Sequence, residues 1–377
     1  MKKYNLKEIA EIQTGPFGSQ LHKEDYVEVG TPIVSVEHLG QRTFTEQNLP
    51  RVSDEDKVRL EKYVLKEGDI VFSRVGSVDR CSYVTSECDG WMFSGRCLRV
   101  RATETIESMY LYYYFCWGKI KQFIRNIAVG ATMPSINTKI LGEIPVLVPS
   151  SDKQEKICEI LSSIDDKIEL NNKINDNLEQ QVSAIYQAWF EDFINFDGVC
   201  PKNWIQATLS DIANVSSGKR PPMKSSVETD IAVIPLVGAA SVMGFTSEAN
   251  HSDKILVTGR VGTHGVIQRF NSPCWTSDNT LVITSDYYEF TSQILQRIDY
   301  KSMNRGSTQP LITQGDMNKV AILLPDHETL ISFENLSGTL MAQYEANVIE
   351  NTKLAELRDS LLPKLMSGEI DISDIDF

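Results

Sequence analysis

The side chains of this chain that could do chemistry are hydrogen-bonding groups in short polar loops, and these loops occur in pairs. Residues 16–23 have a counterpart in residues 219–224, and residues 130–137 have one in residues 306–313. Their hydroxyl, amide, imidazole and guanidinium groups are the donors and acceptors that the edges of nucleic-acid bases require. The candidate DNA-binding residues are Ser19, Gln20, His22, Lys23, Arg74, Arg80, Thr132, Asn137, Lys219, Arg220, Lys224, Arg260, Arg269, Thr308 and Gln309.

Each lysine and arginine of this set has a simpler interpretation as an ordinary surface charge. Arg74 and Arg260 begin the same Arg-Val-Gly tripeptide in the two halves of the sequence, so they could instead hold a turn together. In the pair formed by residues 130–137 and 306–313, Met133 stands where the second loop has Gln309. Whether that position contacts DNA in both halves is therefore left open.

The spacings that mark catalytic and cofactor sites are absent from the sequence. The segment around Lys219 reads SSGKR and lacks both the first glycine and the final hydroxyl residue of a P-loop. The Pro-Pro pair in RPPM does not form the Asn/Asp-Pro-Pro-aromatic motif of amino-group methylation. Neither the HExxH nor the CxxC spacing of a metal site occurs. We therefore predict no catalytic residue, no metal site and no cofactor bound by this chain.

Two long helical segments must position these loops. Residues 152–197 contain neither Pro nor Gly, and adding 176 to each number gives a second helical segment, 328–373. Both segments carry an apolar seam near the 3.5-residue period of coiled coils. Because a lone helix of this length needs a partner, we expect the two to pair. About 130 residues separate them, which favours an antiparallel pair with a globular domain at each end.

The sequence thus predicts an α+β fold built from a duplicated unit. We expect two mixed α/β recognition domains, separated by two long antiparallel coiled-coil helices and related by an internal pseudo-two-fold repeat. The predicted boundaries are 1–150 for the first domain and 151–197 for its helix, then 198–325 for the second domain and 326–377 for its helix.

Two asparagines occupy matching seam positions near the middle of each helix. They are Asn171 and Asn175 in the first helix and Asn347 and Asn351 in the second. We predict that they meet where the helices cross and fix their register, at some cost in stability. The alternative is that they face solvent, since a straight helix drifts away from a 3.5-residue seam.

The net charge of −14 is concentrated on the two helical segments. Residues 151–197 carry −7 and residues 326–377 carry −8, whereas the two globular segments carry 0 and +1. The acidic residues form solvated helix faces, or else they repel DNA or face a basic partner. The two globular segments are neutral, so they can still carry local basic patches. No membrane span or signal peptide is evident, and seven cysteines without a CxxC pair suggest reduced thiols in the cytoplasm.

A rigid helix pair of this length would hold two unequal globular domains at a fixed distance of roughly 60 Å. DNA is a suitable ligand for such an arrangement, because its helical repeat of about 34 Å sets the spacing between half-sites. Several stretches then resemble the specificity subunits of type I restriction–modification enzymes over the whole chain. These stretches are VLVPSSDKQEKICEILSSIDDKIELNNKINDNLEQ, AIYQAWFEDF, the GSTQP loop and LRDSLLPKLMSGEI.

The resemblance implies a non-catalytic subunit whose two domains each read one half of a bipartite DNA site. It implies docking of two methyltransferase subunits that methylate adenine at N6, with restriction subunits joining through them. S-adenosylmethionine, ATP and Mg²⁺ would then belong to the partners. An alternative is the specificity subunit of a fused nuclease–methyltransferase enzyme, and a third is a coiled-coil scaffold that binds no DNA. The candidates for partner docking, if they are not core residues, are Trp189, Phe190, Phe193, Leu361 and Leu365.

Overall fold

The computed structural model describes residues 1–303, 311–370 and 372. The chain divides into two compact units. Unit 1 comprises Met1–Asn171 and Ile349–Phe377, and unit 2 comprises Asn172–Val348. Both boundaries fall inside long helices, so each unit contains a globular domain together with part of each long helix.

Unit 1 begins with a globular domain of short strands and helices. Its helices are α1 (Leu6–Ile9), α2 (Asp54–Arg59), α3 (Ser108–Cys116), α4 (Gly118–Ile127) and α5 (Thr138–Gly142). Its strands are β1 (Lys2–Asn5), β2 (Ala10–Thr14), β3 (Tyr26–Val27), β4 (Thr31–Val34), β5 (Arg51–Val52), β6 (Ile70–Ser73), β7 (Cys81–Tyr83), β8 (Met92–Phe93), β9 (Cys97–Ala102) and β10 (Pro145–Val148).

Three sheets organise this domain. Strands β1 and β10 form an antiparallel pair, and β2-β9-β6-β7 form a four-stranded antiparallel sheet. The third sheet, β3-β5-β4-β8, contains the parallel pair β4–β8. The aromatic helix α3 buries Tyr110, Tyr113 and Phe115 in the main core, which also receives residues from both long helices. The sheets thus bring strand ends, and the polar loops that follow them, to defined edges.

Unit 2 contains the second globular domain. After the first long helix, α6 (Ser151–Tyr186), its helices are α7 (Tyr288–Arg297), α8 (Tyr300–Met303) and α9 (Gln314–Asn318). Its strands are β11 (Ile205–Thr208), β12 (Ala213–Ser217), β13 (Ile234–Val237), β14 (Val242–Thr246), β15 (Ile255–Gly259), β16 (Gln268–Phe270), β17 (Trp275–Thr276), β18 (Thr280–Ser285) and β19 (Ala321–Leu324).

The sheets of unit 2 repeat the pattern of unit 1. The pair β11–β19 corresponds to β1–β10, and β12-β18-β15-β16 corresponds to β2-β9-β6-β7. The small sheet β14-β13-β17 again contains one parallel pair, β13–β17. The predicted α+β fold with an internal repeat is therefore confirmed at the level of sheet topology.

The two long helices differ from prediction at their ends. Helix α6 stops at Tyr186, not near residue 197, and a single π-helical turn, Gln187–Glu191, follows it. A π turn inserts an extra residue into the helix, and here it accompanies the burial of Phe190. The second long helix, α10 (His327–Ser367), ends six residues before 373 and is followed by Gly368, whose φ of 76° suits glycine. In the described part of the chain, no helix is long and apolar enough to cross a membrane.

Candidate nucleic-acid interface and helix pair

In unit 1, the first polar loop is anchored where β2 ends. The amide of Gly15 donates to the carbonyl oxygen of Cys97 over 3.2 Å. A Cβ atom on Gly15 would lie 2.2 Å from the carbonyl oxygen of Ser94, so only glycine fits there. A Cβ on Gly95 would similarly lie 2.4 Å from the carbonyl oxygen of Pro16. Residues 15–17 and 94–95 are therefore pressed together.

Arg74 joins this contact to the second polar loop of unit 1, residues 130–137. Its amide donates to the Arg96 carbonyl over 2.8 Å, and its own carbonyl accepts from the Ile136 amide over 3.0 Å. Its guanidinium donates to the Gly95 carbonyl over 3.2 Å and lies 6.0 Å from the centre of the Phe17 ring. The sequence left two roles open for Arg74, a contact with DNA or the support of a turn. The contacts of Arg74 in the structure are those of a residue that supports a turn.

Residues 74–76 and 95–96, together with Val36 and Met133, line a cavity of about 530 Å³, here called the Arg74 cavity. Its lining includes two arginines and no carboxylate, and Met133 is 66% exposed at its rim. A concave surface with positive charge and no acid attracts phosphates and the acceptor edges of bases. The residues that line it are Val36, Arg74, Val75, Gly76, Gly95, Arg96 and Met133.

Unit 2 builds the same framework from different residues. The amide of Gly218 donates to the Thr280 carbonyl over 3.1 Å, and a Cβ on Gly218 would lie 2.1 Å from the Ser277 carbonyl oxygen. The Arg260 amide donates to the Asn279 carbonyl over 2.8 Å, and the Arg260 carbonyl accepts from Ile312 over 3.0 Å. The repeat noted in the sequence is thus a repeat of hydrogen bonds that fix the loops.

Several predicted binding residues have local structural contacts instead of an open position. Gln20 accepts a hydrogen bond from the Tyr63 hydroxyl over 2.7 Å. Asn137 is the N-cap of α5, where its side-chain oxygen accepts from the Ile140 amide over 2.9 Å. Arg80 donates to the Leu39 carbonyl. These contacts restrict the side chains but leave Asn137 and Arg80 partly open to solvent.

The remaining candidates fall into three groups. His22 and Thr132 are exposed in unit 1, and Lys219, Arg220 and Lys224 are exposed in unit 2. Ser19 and Lys23 belong to two short 3-10 turns, Gly18–Gln20 and Lys23–Asp25. Thr308 and Gln309 lie outside the described residues.

Arg269 corrects the sequence-based prediction. Its guanidinium is held inside unit 2, 2.7 Å from the Glu289 carboxylate and 4.8 Å from the centre of the Tyr288 ring. Burial disfavours the charged form, but the hydrogen bond to Glu289 and the negative charges of Glu289 and Glu345 together outweigh burial and raise the pKa of Arg269. An internal ion pair of this kind cannot reach DNA. The sequence did not reveal it because Glu289 is 20 residues away and on another element.

Each unit pairs its portions of α6 and α10 in antiparallel fashion. In unit 1, Asp165 pairs with Arg358 and Asn171 donates to Asn351, with distances of 2.8 Å for both contacts. In unit 2, Asn347 donates to Asn175 over 2.8 Å. Residue numbers rise along α6 while they fall along the α10 residues that α6 contacts, as expected for antiparallel helices. The predicted asparagines therefore form one pair per unit, while their role in fixing register stays a prediction.

The Asp165–Arg358 pair was not predicted from the sequence. Asp165 is buried, and its second carboxylate oxygen accepts from the Tyr113 hydroxyl over 2.8 Å. Burial opposes the charge on Arg358, but the hydrogen bonds and negative charges of Asp165 and Asp359 together outweigh burial and raise the pKa of the guanidinium. The pair therefore links both helices of unit 1 to α3.

The predicted docking residues also require correction. Phe190 is 6% exposed and packs between Phe290 and Phe333 in the core of unit 2, and Leu365 is 3% exposed in the core of unit 1. Neither can offer its side chain to a partner. The other three, Trp189, Phe193 and Leu361, are partly buried against the same cores.

Sequence reasoning missed Arg96 and Asn279, the exposed residues whose carbonyls accept from Arg74 and Arg260. The sequence does contain a pattern that relates these two residues, because Trp91 and Trp275 precede the similar tripeptides Ser-Gly-Arg and Ser-Asp-Asn. Among the residues whose positions are described, no cluster of three or more His, Cys, Asp or Glu side chains is arranged to hold a metal ion.

Comparison with known proteins gives consistent similarities. The profile of a family described as "Type I restriction modification DNA specificity domain" matches residues 1–180 and 201–358. The type I restriction enzyme MjaIX specificity subunit of Methanocaldococcus jannaschii is 26% identical over 308 residues, 72% of this chain and 71% of that protein. The HindI specificity subunit of Haemophilus influenzae is 22% identical over 404 residues, 82% and 88% of the two chains.

A solved structure extends the similarity to the fold. The S subunit of a type I restriction–modification system from M. genitalium aligns with a TM-score of 0.59 at 17% identity. The alignment covers 97% of this chain and 95% of that chain.

Proposed function

This chain belongs to the type I restriction–modification DNA specificity family, and we propose that each of its globular domains reads one half of a bipartite DNA site. It is a specificity subunit and not itself an enzyme. The observation that supports two-part reading is the loop framework that occurs in both units, anchored by Gly15 and Arg74 in one and by Gly218 and Arg260 in the other. Equivalent frameworks carrying different side chains suit two different half-sites.

The proposal assigns the chain four parts with the boundaries expected from the sequence. Residues 1–150 and 198–325 are the two target-recognition domains, and the segments 151–197 and 326–377 contain the spacer helices α6 and α10. Strand β10 ends at Val148, just before α6, and β19 ends at Leu324, just before α10. These junctions support the division.

We propose that the helix pair docks two methyltransferase subunits, and restriction subunits through them. With Phe190 and Leu365 buried, the outward apolar residues of the helices are the better candidates. Leu170 is 52% exposed, Ile349 53% and Leu357 48%, all in unit 1. Apolar groups on an acidic helix pair suit a partner surface with an apolar centre and a basic rim.

The docking proposal is tested by replacing Leu170 and Ile349 together with serine. The expected result is weaker association with the methyltransferase, measured by titration calorimetry, without a change in thermal unfolding. The exposed residue Val58, on α2, provides the matched control, and Val58→Ser should leave association unchanged. Unchanged association in the double variant would contradict docking at these two residues.

Adenine methylation at N6 would be carried out by these partners, which would flip the target base and bind S-adenosylmethionine. ATP and Mg²⁺ would likewise be used by partner subunits. This division of labour fits the absence of catalytic spacings in the sequence. A cytoplasmic location is part of the same proposal, because the DNA substrate is there.

The test of two-part reading is the methylation pattern made by the complex. The chain would be expressed with its methyltransferase in a host without other adenine methylation, and genomic DNA would be sequenced by a single-molecule method that detects N6-methyladenine. The expected result is one motif of two specific half-sites separated by a fixed, unspecific spacer. Methylation without sequence preference, or a single continuous motif, would contradict the proposal.

The spacer function of the helices has its own test. Four residues, about one helical turn, would be inserted into both α6 and α10 near residues 173 and 350. We expect the unspecific spacer of the methylated motif to lengthen while both half-sites keep their sequences. A motif with an unchanged spacer would show that the helices do not set this distance.

A further inference from the structure

Two tight turns hold equivalent positions in the two globular domains. Turn 94–97 precedes β9, and turn 277–280 precedes β18. In the first turn the Cys97 amide donates to the Ser94 carbonyl over 2.9 Å, and in the second the Thr280 amide donates to the Ser277 carbonyl over 3.0 Å. Each turn is therefore closed by a backbone hydrogen bond, and the side chains of its two central residues take no part in that bond.

Both turns are also tied to their surroundings by backbone hydrogen bonds. The Ser94 amide donates to Val34 at the end of β4 over 2.8 Å, and the Ser277 amide donates to Val237 at the end of β13 over 3.0 Å. The carbonyls of Arg96 and Asn279 accept from the amides of Arg74 and Arg260, as described above. The backbone is thus fixed on both sides of each turn.

The central side chains are exposed and differ between the turns. The first turn presents Gly95 and Arg96, and the second presents Asp278 and Asn279. Arg96, Asp278 and Asn279 are all exposed. Within the described ranges, neither the Arg96 guanidinium nor the Asn279 amide has a hydrogen-bond or ion-pair partner. Other polar candidates nearby have internal contacts, as Gln20 has with Tyr63.

The chemistry of these side chains matches direct readout of bases. An arginine fork pairs with the O6 and N7 acceptors of guanine, and an asparagine amide pairs with the N6 donor and N7 acceptor of adenine. Such readout requires the side chain to start from a backbone held within about 0.5 Å. The hydrogen-bonded turns provide this support, and Arg96 also lines the Arg74 cavity, which contains no carboxylate.

From this geometry we infer that Arg96 and Asn279 are the specificity-determining residues of the two turns. Arg96 reads a guanine in one half-site, and Asn279 reads an adenine in the other. The inference rests on the proposed function, since it names residues that perform the two-part reading. It differs from a phosphate contact, which would add affinity for every sequence equally.

The first experiment compares methylation motifs made by the full complex with wild-type subunit, Arg96→Asn and Asn279→Arg. We expect Arg96→Asn to relax or change one guanine position in one half-site, leaving the spacer and the other half-site intact. Asn279→Arg should change one adenine position in the opposite half-site. Lys139→Ala, at an exposed lysine on α5 outside the cavity lining, should leave the whole motif unchanged.

The second experiment measures binding, so that a variant too weak for methylation in cells still gives an answer. The purified complex would be titrated with duplexes carrying each of the four bases at each motif position. Loss of one good bidentate contact should reduce discrimination at a single position by about 10- to 100-fold. Arg96→Lys, which keeps the charge without the fork, should lose this discrimination and keep its affinity for unrelated DNA.

Two results would overturn the inference. One is an unchanged motif and unchanged discrimination in both Arg96→Asn and Arg96→Lys. The other is equal weakening for all sequences with a reduced salt dependence, which would make Arg96 a phosphate contact. Either result would leave the proposed function standing as long as the wild-type complex still makes a bipartite motif, whereas a wild-type complex without such a motif would remove the proposed function itself.

Discussion

The helix pair uses different chemistry in the two units, although the sequence repeat makes the positions equivalent. Adding 176 to Asp165 gives Met341, and subtracting 176 from Arg358 gives Val182. Unit 1 thus has a buried carboxylate paired with arginine where unit 2 has two apolar side chains, both at least 97% buried in its core. The duplicated helix pair accommodates either an ion pair or two apolar side chains at this position, which shows that helix pairing does not depend on one kind of contact.

This difference can be tested by replacing the ion pair of unit 1 with the apolar side chains found at the equivalent positions of unit 2. Arg358→Val alone leaves Asp165 buried with only the Tyr113 hydroxyl as partner. Losing one member of a buried ion pair costs about 3–5 kcal/mol, and because Arg358 is 30% exposed we expect about 2–3 kcal/mol. The free energy of unfolding would be measured by urea denaturation.

The matched variant removes both charges, as Asp165→Met with Arg358→Val. Apolar replacement of a buried ion pair is often neutral or stabilising, so most of the lost stability should return. If the double variant is as unstable as Arg358→Val, the two units do not follow equivalent packing rules at this position.

The glycines that anchor the first polar loops are a point of similarity between the units. Gly15→Ala and Gly218→Ala would each place a methyl group within 2.2 Å of a backbone oxygen. Because a backbone atom cannot move aside like a flexible side chain, each substitution should cost about 1–3 kcal/mol. Thermal unfolding of the two single variants checks this expectation, with Gly118→Ala as control since its Cβ would meet no atom within 4 Å. A large cost in only one unit would show that the loop frameworks are not equivalent.

The asparagine pairs are the second shared feature. Replacing both members of a pair, Asn171 with Asn351 or Asn175 with Asn347, by leucine removes polar groups from largely buried seam positions. The two members of each pair are removed together, and the side chains that also hydrogen-bond to them, Glu350 and Gln343, are exposed and can bond to water instead. We therefore expect stability to be unchanged or higher by about 1 kcal/mol. If the pairs fix register, the methylated motif should then show more than one spacer length. A large loss of stability would contradict this role, and a single unchanged spacer would assign register to other contacts.

The sequence predicted the features that depend on repetition and periodicity. Both long helices, the duplicated domain and the repeated Arg-Val-Gly turns follow from local patterns. The contacts that arise from distant parts of the chain could not be predicted. Arg269 with Glu289, Phe190 with Phe333, and Asp165 with Arg358 pair residues 20, 143 and 193 positions apart. None of these pairings is visible in the sequence, because each depends on the fold to bring its two residues together.

The starts of the long helices show the smallest difference between the units. Helix α6 follows Ser150 and α10 follows Asp326, which are equivalent positions. Asp326 accepts hydrogen bonds from the Thr329 amide over 3.0 Å and from the Trp204 indole over 3.1 Å. Burial tends to raise the pKa of this carboxyl, but these hydrogen bonds outweigh burial and hold it below the ordinary value of 3.8. A depressed pKa in the folded state means that this stabilisation exists above about pH 4 and is lost as the pH falls through the folded pKa.

We therefore expect Asp326→Ala to cost about 0.5–1 kcal/mol at pH 7, because the cap is only partly buried. The difference from wild type should shrink towards zero in acid, since protonation removes the same carboxylate in the wild type. Urea denaturation at a series of pH values measures this convergence. Ser150→Asp makes the reciprocal change in unit 1 and should add an acid-sensitive contribution there, because a carboxylate at a helix N-terminus interacts favourably with the helix dipole. A difference for Asp326→Ala that stays constant with pH would mean that the carboxylate acts by packing, and the two helix starts would then differ in shape instead of charge.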